Sequence, residues 1–302
     1  MTSPHIPSVA VIGLGSIGGI VAGSLAAAGR CNLTLCVRRA IARLDVERPE
    51  DRIDVPVRAL TDPAEAEPAD WVLIATKAQQ TASAAPWLAR LCGPGTRVAT
   101  LQNGIGHEAR LAPFVAGAAV VPTVVYFNGE RFAPDHMRFR RAGDYELAVA
   151  DDENGRAFAG LMAGTPMRIL LSGEFPTLVW KKLLINAVAN PVTALTLQRQ
   201  GVFRRADVRE LCLGVLEEAA AVARAEGAPL AADVPRRTMD VLATHPADAG
   251  TSMYFDRLAG NALEIEALTG QIVAAAERHG IAVPLNRALL TLLRVVSDAA
   301  EA

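Results

Sequence analysis

The sequence predicts an α/β protein in two parts. An N-terminal Rossmann-type dinucleotide-binding domain spans residues 1–172, and an all-α C-terminal domain spans residues 173–302. Three observations carry that prediction. A glycine-rich turn separates a buried strand from a helix at the start of the chain. Strand and helix signals alternate through the first half, as in parallel sheets with crossover helices. From Glu174 onward helical periodicity dominates.

The first strand, Val9-Ala-Val-Ile12, runs into Gly13-Leu14-Gly15-Ser16-Ile17-Gly18 and then a helix from about Ile17 to Ala28. Each glycine has a distinct task in a dinucleotide-binding turn. Gly13 permits the tight turn, Gly15 lets a pyrophosphate approach the backbone, and Gly18 lets helix and strand pack closely. Leu14, Ser16 and Ile17 complete the loop, whose free N–H groups at the helix start face the pyrophosphate. A plain tight turn is the alternative.

The second strand, Leu33 to Val37, ends in Val37-Arg38-Arg39. An NAD site places an acidic residue here to hold the ribose hydroxyls. A guanidinium instead suits a 2′-phosphate, through charge-assisted and often bidentate hydrogen bonds. The cofactor expected is NADPH, with Arg38 the first contact and Arg39 the second. Two solvated surface arginines are the alternative.

A weaker third strand is expected over Val55 to Ala59, and the charged, proline-containing stretch Glu47 to Asp54 reads as a surface loop. Trp71-Val-Leu-Ile-Ala-Thr76 is the clearest strand. Val98 to Leu101 follows the Pro94-Gly95 turn, and Ala118 to Val125 follows in turn, with Pro122 marking an irregularity or an edge. Alternating stretches near Met137–Arg141, Glu146–Val149 and Met167–Leu171 predict antiparallel strands finishing the sheet. The domain boundary falls near Ser172-Gly173. Helices are expected over Leu178–Leu197, Ala206–Ala225, Val234–Leu242, Ser252–His279 and Leu285–Ala300, with Gly227, Gly280 and Pro284 as stops.

Composition narrows the function. Apolar residues make up 51% of the 302, and the formal net charge is −2, so nothing points to nucleic acid or a charged membrane surface. Cys31, Cys36, Cys92 and Cys212 show no Cys-x-x-Cys spacing and read as reduced thiols of a cytoplasmic protein. The five histidines have no metal-ligand spacing, and no metal is expected. No signal peptide is visible, and the apolar stretch from Ile17 to Ala28 is too short to span a bilayer. A soluble protein is expected.

Ligands of open parallel sheets bind outside the carboxyl ends of the strands. Thr76-Lys77 and Gln102-Asn103-Gly104 sit at two such ends. Lys77 could instead be a solvated loop lysine, and Asn103 a turn residue supporting Gly104. In the helical half, Trp180-Lys-Lys-Leu-Leu-Ile-Asn-Ala-Val-Ala-Asn-Pro191 carries Lys182, Asn186 and Asn190 at four-residue spacing. At about 3.6 residues per turn these share one face of an apolar helix. Burying them is costly unless a core partner or a polar substrate pairs with them. Burial lowers a lysine's pKa, and an ammonium can stabilise and then protonate the oxygen of a ketone receiving hydride. Pro191 is expected to kink or end the helix. A snorkelling lysine and two core carboxamides are the bland alternative.

These residues together resemble the ketopantoate reductase (2-dehydropantoate 2-reductase) family. The resemblance runs from Val9 to about Asn286. It comprises the glycine turn, Thr76-Lys77, Gln102-Asn103-Gly104, the Lys182/Asn186/Asn190-Pro191 helix, Ser252-Met253, Glu264-Ile265 and His279-Gly-Ile-Ala-Val-Pro284. It implies NADPH bound between a Rossmann domain and a helical domain. The implied reaction is hydride transfer to the C2 ketone of 2-dehydropantoate, giving pantoate for pantothenate and coenzyme A synthesis. Lys182 would be the general acid. Asn186, Asn190, Ser252 and Glu264 would hold the substrate, Glu264 by accepting from a hydroxyl. Asn103 and Lys77 would lie where nicotinamide and substrate meet, and Arg38 at the 2′-phosphate. Ser252 could instead cap the following helix, and Glu264 could be a solvated helix acid.

Two departures from the family pattern stand out. The family's Arg-x-Thr-Glu-Ile-Asp is here Asn261-Ala-Leu-Glu264-Ile-Glu266, and its glycine-rich stretch after the sixth strand is replaced by the arginine-rich Pro134–Gly143. These departures leave the particular 2-oxo acid open, and a non-catalytic dinucleotide sensor is a rival from another class. A 3-hydroxyacid dehydrogenase would carry a small, glycine- and serine-rich loop after the sixth strand, and Thr123-Val-Val-Tyr-Phe-Asn-Gly129 is not one. The long C-terminal helices fit a monomer or a homodimer equally.

Overall fold

The computed structural model describes residues 5–301. The chain divides into two compact units, residues 1–175 and 176–302. Unit 1 is built on six parallel strands: β1 (Ser8–Ile12), β2 (Asn32–Cys36), β5 (Arg58–Leu60), β6 (Trp71–Ile74), β7 (Arg97–Thr100) and β8 (Ala119–Pro122). Their order is β5-β2-β1-β6-β7-β8, so the chain reverses direction across the sheet between β1 and β6. That reversal is the topological switch point at which such sheets bind ligands. The central strands β1 and β6 are apolar because both faces are covered.

Two smaller sheets depart from expectation. Half of the stretch read as a loop at Glu47–Asp54 lies in the strands of a hairpin, β3 (Arg43–Glu47) and β4 (Arg52–Pro56), and the other half, 48–51, is its turn. With β10 (Asn128–Arg131) and β11 (His136–Arg140) it forms a four-stranded sheet ordered β10-β11-β3-β4. The third strand expected at Val55–Ala59 is thus shared between β4, in this second sheet, and β5, in the first. The antiparallel strands expected to finish the main sheet do not join it. β12 (Leu147–Ala150) and β13 (Ile169–Ser172) pair in parallel, and β9 (Val124–Val125) pairs antiparallel with β12, making a third sheet. The run expected at Ala118–Val125 breaks after Pro122, so β8 and β9 belong to different sheets.

Helix α1 (Ser16–Ala28) lies between the first two sheets, in one core that contains Val9, Val11, Ile20, Leu25, Leu44, Val46 and Met137. Its glycines make room for the second sheet. A β-carbon on Gly19 would sit 2.3 Å from Met137 Cε, and one on Gly23 would sit 2.8 Å from Val46 Cγ2. Three short helices complete unit 1: α2 (Ala85–Leu91), α3 (His107–Leu111) and α4 (Glu153–Leu161). The arginines of the Pro134–Gly143 segment are spent on ion pairs within this unit. Arg138 binds Glu47 at 2.6 Å, Arg140 binds Glu130 at 2.9 Å, and Arg141 reaches the buried Glu146 at 3.1 Å.

Unit 2 is helical: α5 (Phe175–Thr196), α6 (Ala206–Ala225), α7 (Val234–Thr244), α8 (Ser252–Leu258), α9 (Thr269–Arg278) and α10 (Pro284–Glu301). α5 is buried nearly all round, through Trp180, Leu183, Leu184, Ala187 and Val188. Pro191 does not end it; the helix runs one turn further, to Thr196. The single helix expected over Ser252–His279 is two helices. Gly260, at φ +66°, lies just past the end of α8, and residues 261–268 cross to α9 without regular helix. Pro284 begins α10 rather than stopping a helix, as suits a residue without an N–H. Glu218 of α6 accepts from the N–H groups of Leu285 and Asn286, both at 3.0 Å, capping that start. Among the described residues no helix is long and apolar enough to cross a membrane.

Candidate active site

At the carboxyl end of β1, the turn from Gly13 to Gly18 leaves no room for side chains on its inner side. A β-carbon on Gly18 would lie 2.0 Å from Gly13 O, and one on Gly13 (φ +95°) would lie 2.6 Å from Thr76 N. Around Gly15 the opposite holds, because nothing lies within 4 Å of its would-be β-carbon. Gly15 is also the N-cap of α1, where no side chain caps the helix and no acid occupies the first turn. Unsatisfied N–H groups, the positive end of the helix and an open approach suit a pyrophosphate. The chain fits a dinucleotide here.

Arg38 and Arg39 follow the end of β2, and both are exposed. Neither guanidinium takes part in an ion pair or hydrogen bond among the described residues. No acid stands at the end of β2, so the position that would select ribose hydroxyls is filled by cations.

Lys77 follows β6 and opens a short 3₁₀ turn at Ala78–Gln80, while Asn103 follows β7. Both are half-buried. Next to Asn103 lies Gln102, a buried residue of the same sequence motif whose spacing alone assigns it no role. Its Nε2 donates to Thr76 Oγ1 at 3.2 Å and to Thr81 Oγ1 at 3.1 Å. The carboxyl ends of β1, β6 and β7 are therefore joined: the Gly13 backbone abuts Thr76, and Thr76 bonds Gln102.

On α5, Lys182, Asn186 and Asn190 fall on successive turns of one unbroken helix. Lys182 is half-buried, and burial holds its ammonium below the usual lysine pKa. Asn186 and Asn190 are only 9% and 4% exposed. Neither carboxamide has a hydrogen-bond partner among the described residues, yet neither is among the fully sealed polar atoms. An unpartnered buried amide costs about 1–3 kcal/mol. The fold thus carries two amides at its own expense, both still open to a small polar molecule.

Ser252 is the first residue of α8 and is exposed. The helix cap is its neighbour Thr251, whose Oγ1 accepts from Tyr254 N at 3.1 Å. Thr251 Oγ1 also bonds Thr193 Oγ1 at 2.7 Å, fastening the start of α8 to α5 three residues beyond Asn190. Glu264 is not a helix acid; it lies in the 261–268 crossing and is only 5% exposed. Among the described residues no group of His, Cys, Asp and Glu has an arrangement suited to a metal ion.

Comparison with known proteins accounts for both units. Residues 9–152 match the family described as ketopantoate reductase PanE/ApbA, and residues 174–297 match its C-terminal counterpart. A 2-dehydropantoate 2-reductase of Caulobacter vibrioides is 39% identical over 292 residues, spanning 96% of this chain and 99% of that one. Among solved structures, a PanE/ApbA family ketopantoate reductase from Ralstonia eutropha is 31% identical with a TM-score of 0.87, covering 98% of this chain and 100% of the other. A dimeric ketopantoate reductase from Staphylococcus aureus is 28% identical with a TM-score of 0.86, covering 97% and 99% respectively. The chain therefore belongs to the ketopantoate reductase family, a family of pyridine-nucleotide-dependent oxidoreductases.

Proposed function

We propose that the protein reduces the C2 ketone of 2-dehydropantoate to pantoate with NADPH, the step that supplies pantoate for pantothenate and coenzyme A synthesis. The observation that carries this reading is the α5 stripe: a lysine with a burial-lowered pKa in line with two buried, unpartnered carboxamides. NADPH, when bound, supplies the hydride. Lys182 stabilises the negative charge growing on the carbonyl oxygen and then donates a proton to it. A lowered pKa makes that ammonium a readier donor. Asn186 and Asn190 hold the polar groups of the substrate, Ser252 adds a hydroxyl contact, and Glu264 accepts from the substrate hydroxyl. Asn103 and Lys77 serve the reacting end of the cofactor, and the Gly13–Gly18 loop serves its pyrophosphate.

Arg38 gives the preference for NADPH over NADH, with Arg39 beside it; their unpaired guanidinium groups support that assignment. A homodimer and a cytoplasmic setting complete the proposal, the first supported by the dimeric relative and the second by four free thiols. The second reading, a different 2-oxo acid, draws on Asn261-Ala-Leu-Glu264-Ile-Glu266, which departs from the family pattern in the segment that carries Glu264. The arginine-rich Pro134–Gly143 segment does not add to it, since its arginines already have partners.

NADPH oxidation measured with 2-dehydropantoate and with a panel of other 2-oxo acids tests the assignment. The expected result is fastest turnover of 2-dehydropantoate. A clear preference for an acid lacking the 4-hydroxyl would overturn the substrate, and no turnover of any 2-oxo acid would overturn the reductase reading.

A further inference from the structure

The loops that carry Lys77 and Asn103 are held together through one side chain. Gln102 is 5% exposed and uses both ends of its carboxamide. The nitrogen bonds Thr76 Oγ1 and Thr81 Oγ1 and lies 3.4 Å from the Lys77 carbonyl oxygen. The oxygen accepts from Arg110 Nη2 at 3.2 Å. Arg110 is held in turn: Nη2 lies 2.6 Å from His107 Nδ1, and Nη1 donates to Ile105 O at 3.3 Å.

His107 is as buried as Gln102. Burial, reinforced by the Arg110 charge and opposed by a hydrogen bond to the Gly104 backbone, pushes its pKa down to about 3. The ring is therefore neutral at physiological pH, and its Nδ1 accepts from the guanidinium. The result is a chain of hydrogen bonds running from the β6 end, through Gln102, to the loop between β7 and α3. Every link is specific. A carboxylate in place of the amide would keep Arg110 but lose the donor to the two threonines and face the Lys77 carbonyl. An apolar residue would keep none of them.

We propose that Gln102 is a positioning residue of the reductase, fixing the Lys77 loop against Asn103 so that cofactor and substrate meet in reacting alignment. This rests on the reductase reading above. Alignment lost at this point lowers the rate of the chemical step more than it weakens cofactor binding, because the glycine turn and Arg38 are untouched.

The test compares wild type with Gln102→Glu, Gln102→Leu, Thr81→Val and Arg110→Ala, measuring kcat, KM, NADPH affinity by fluorescence and the melting temperature. The expected result is a kcat at least tenfold lower for both Gln102 variants, with NADPH affinity within threefold of wild type. Thr81→Val, which removes one acceptor and keeps the shape, gives a smaller loss in the same direction. Arg110→Ala loses kcat as well, and millimolar guanidinium restores it at least threefold without raising the melting temperature. A lowered melting temperature with kcat per folded enzyme unchanged would overturn the proposal. Should the Gln102 variants fail to fold, an unaltered kcat in Thr81→Val together with no guanidinium rescue would overturn it equally. An inactive wild type would remove the reductase reading and this inference with it, whereas an active wild type with unaffected variants removes the inference alone.

Discussion

The glycine turn after β1 and the polar stripe on α5 make opposite use of the chain. The turn is a candidate site made of backbone. Its glycines are where they are because a β-carbon at Gly13 or Gly18 would collide with Thr76 or with Gly13 itself. What shapes that site also lets α1 pack on the sheet, so folding and binding pull the same way. The α5 stripe, the proposed substrate site, is made of side chains that the core would be better without: the carboxamides of Asn186 and Asn190 are buried with no hydrogen-bond partner among the described residues. Here stability and function pull apart. One lesson is that harm to the two regions should look different: damage to the turn costs the fold and the cofactor together, while damage to the stripe costs chemistry alone.

The largest effect falls on the stripe. Lys182→Ala should lower kcat/KM by about 10²–10⁴, the usual worth of a positioned general acid, with NADPH affinity intact. In the proposed mechanism the reduction needs the ammonium form. Its pKa is held below the ordinary lysine value by burial, so the rate should fall as pH rises through that depressed pKa, earlier than an exposed lysine would allow. A pH–rate profile flat up to the usual lysine range would break the assignment. Next comes the turn. Gly18→Ala should destabilise unit 1 by ~3 kcal/mol, as overpacking does, and weaken NADPH in the same variant. Chemical denaturation beside a binding titration reads both, and cofactor affinity lost with stability untouched would blur the contrast drawn here.

Arg38→Ala should sharpen it, since the role proposed for that exposed residue is in the cofactor site and not in the fold. A charge-assisted contact to phosphate is worth about 1.5–3 kcal/mol, so NADPH should weaken by roughly tenfold or more while NADH changes little. Equal losses for both cofactors would remove the 2′-phosphate role. The smallest effect on the fold is expected at Asn190→Ala. Its melting temperature should stay within a few degrees of wild type, because no hydrogen bond is lost, while kcat/KM for 2-dehydropantoate drops about tenfold. A large fall in stability instead would show that the carboxamide serves the core.

The Rossmann half was legible because its signals are local: a glycine turn between an apolar run and a helix, then apolar strands at regular intervals. The second sheet was overlooked although its pattern is plain in hindsight. Arg43-Leu-Asp-Val-Glu47 and Arg52-Ile-Asp-Val-Pro56 alternate polar and apolar residues, with Leu44, Val46 and Ile53 buried, but the charge and the proline of Glu47–Asp54 suggested a loop. What they pack against is α1, far away in sequence, and no local pattern announces it. The break between α8 and α9 escaped because periodicity persists across a gap; Gly260 was the available clue. The stripe on α5 could be read from spacing alone. The cap could not: Thr251 and Ser252 both carry hydroxyls, and only geometry assigns it to Thr251. Gln102 stood inside a recognised motif, yet its value lies in partners at Thr76 and Thr81, in the connection from β6 to α2, and at Arg110 on α3.

One feature of α1 reaches beyond this chain. Met137 and Val46 already occupy the space that methyl groups at Gly19 and Gly23 would need. Relatives with alanine at either place should therefore carry a trimmed residue opposite it, or a second sheet set further back. Such paired exchanges, sought in an alignment, would mark which homologues keep the helix gripped on both sides and which have let it loosen.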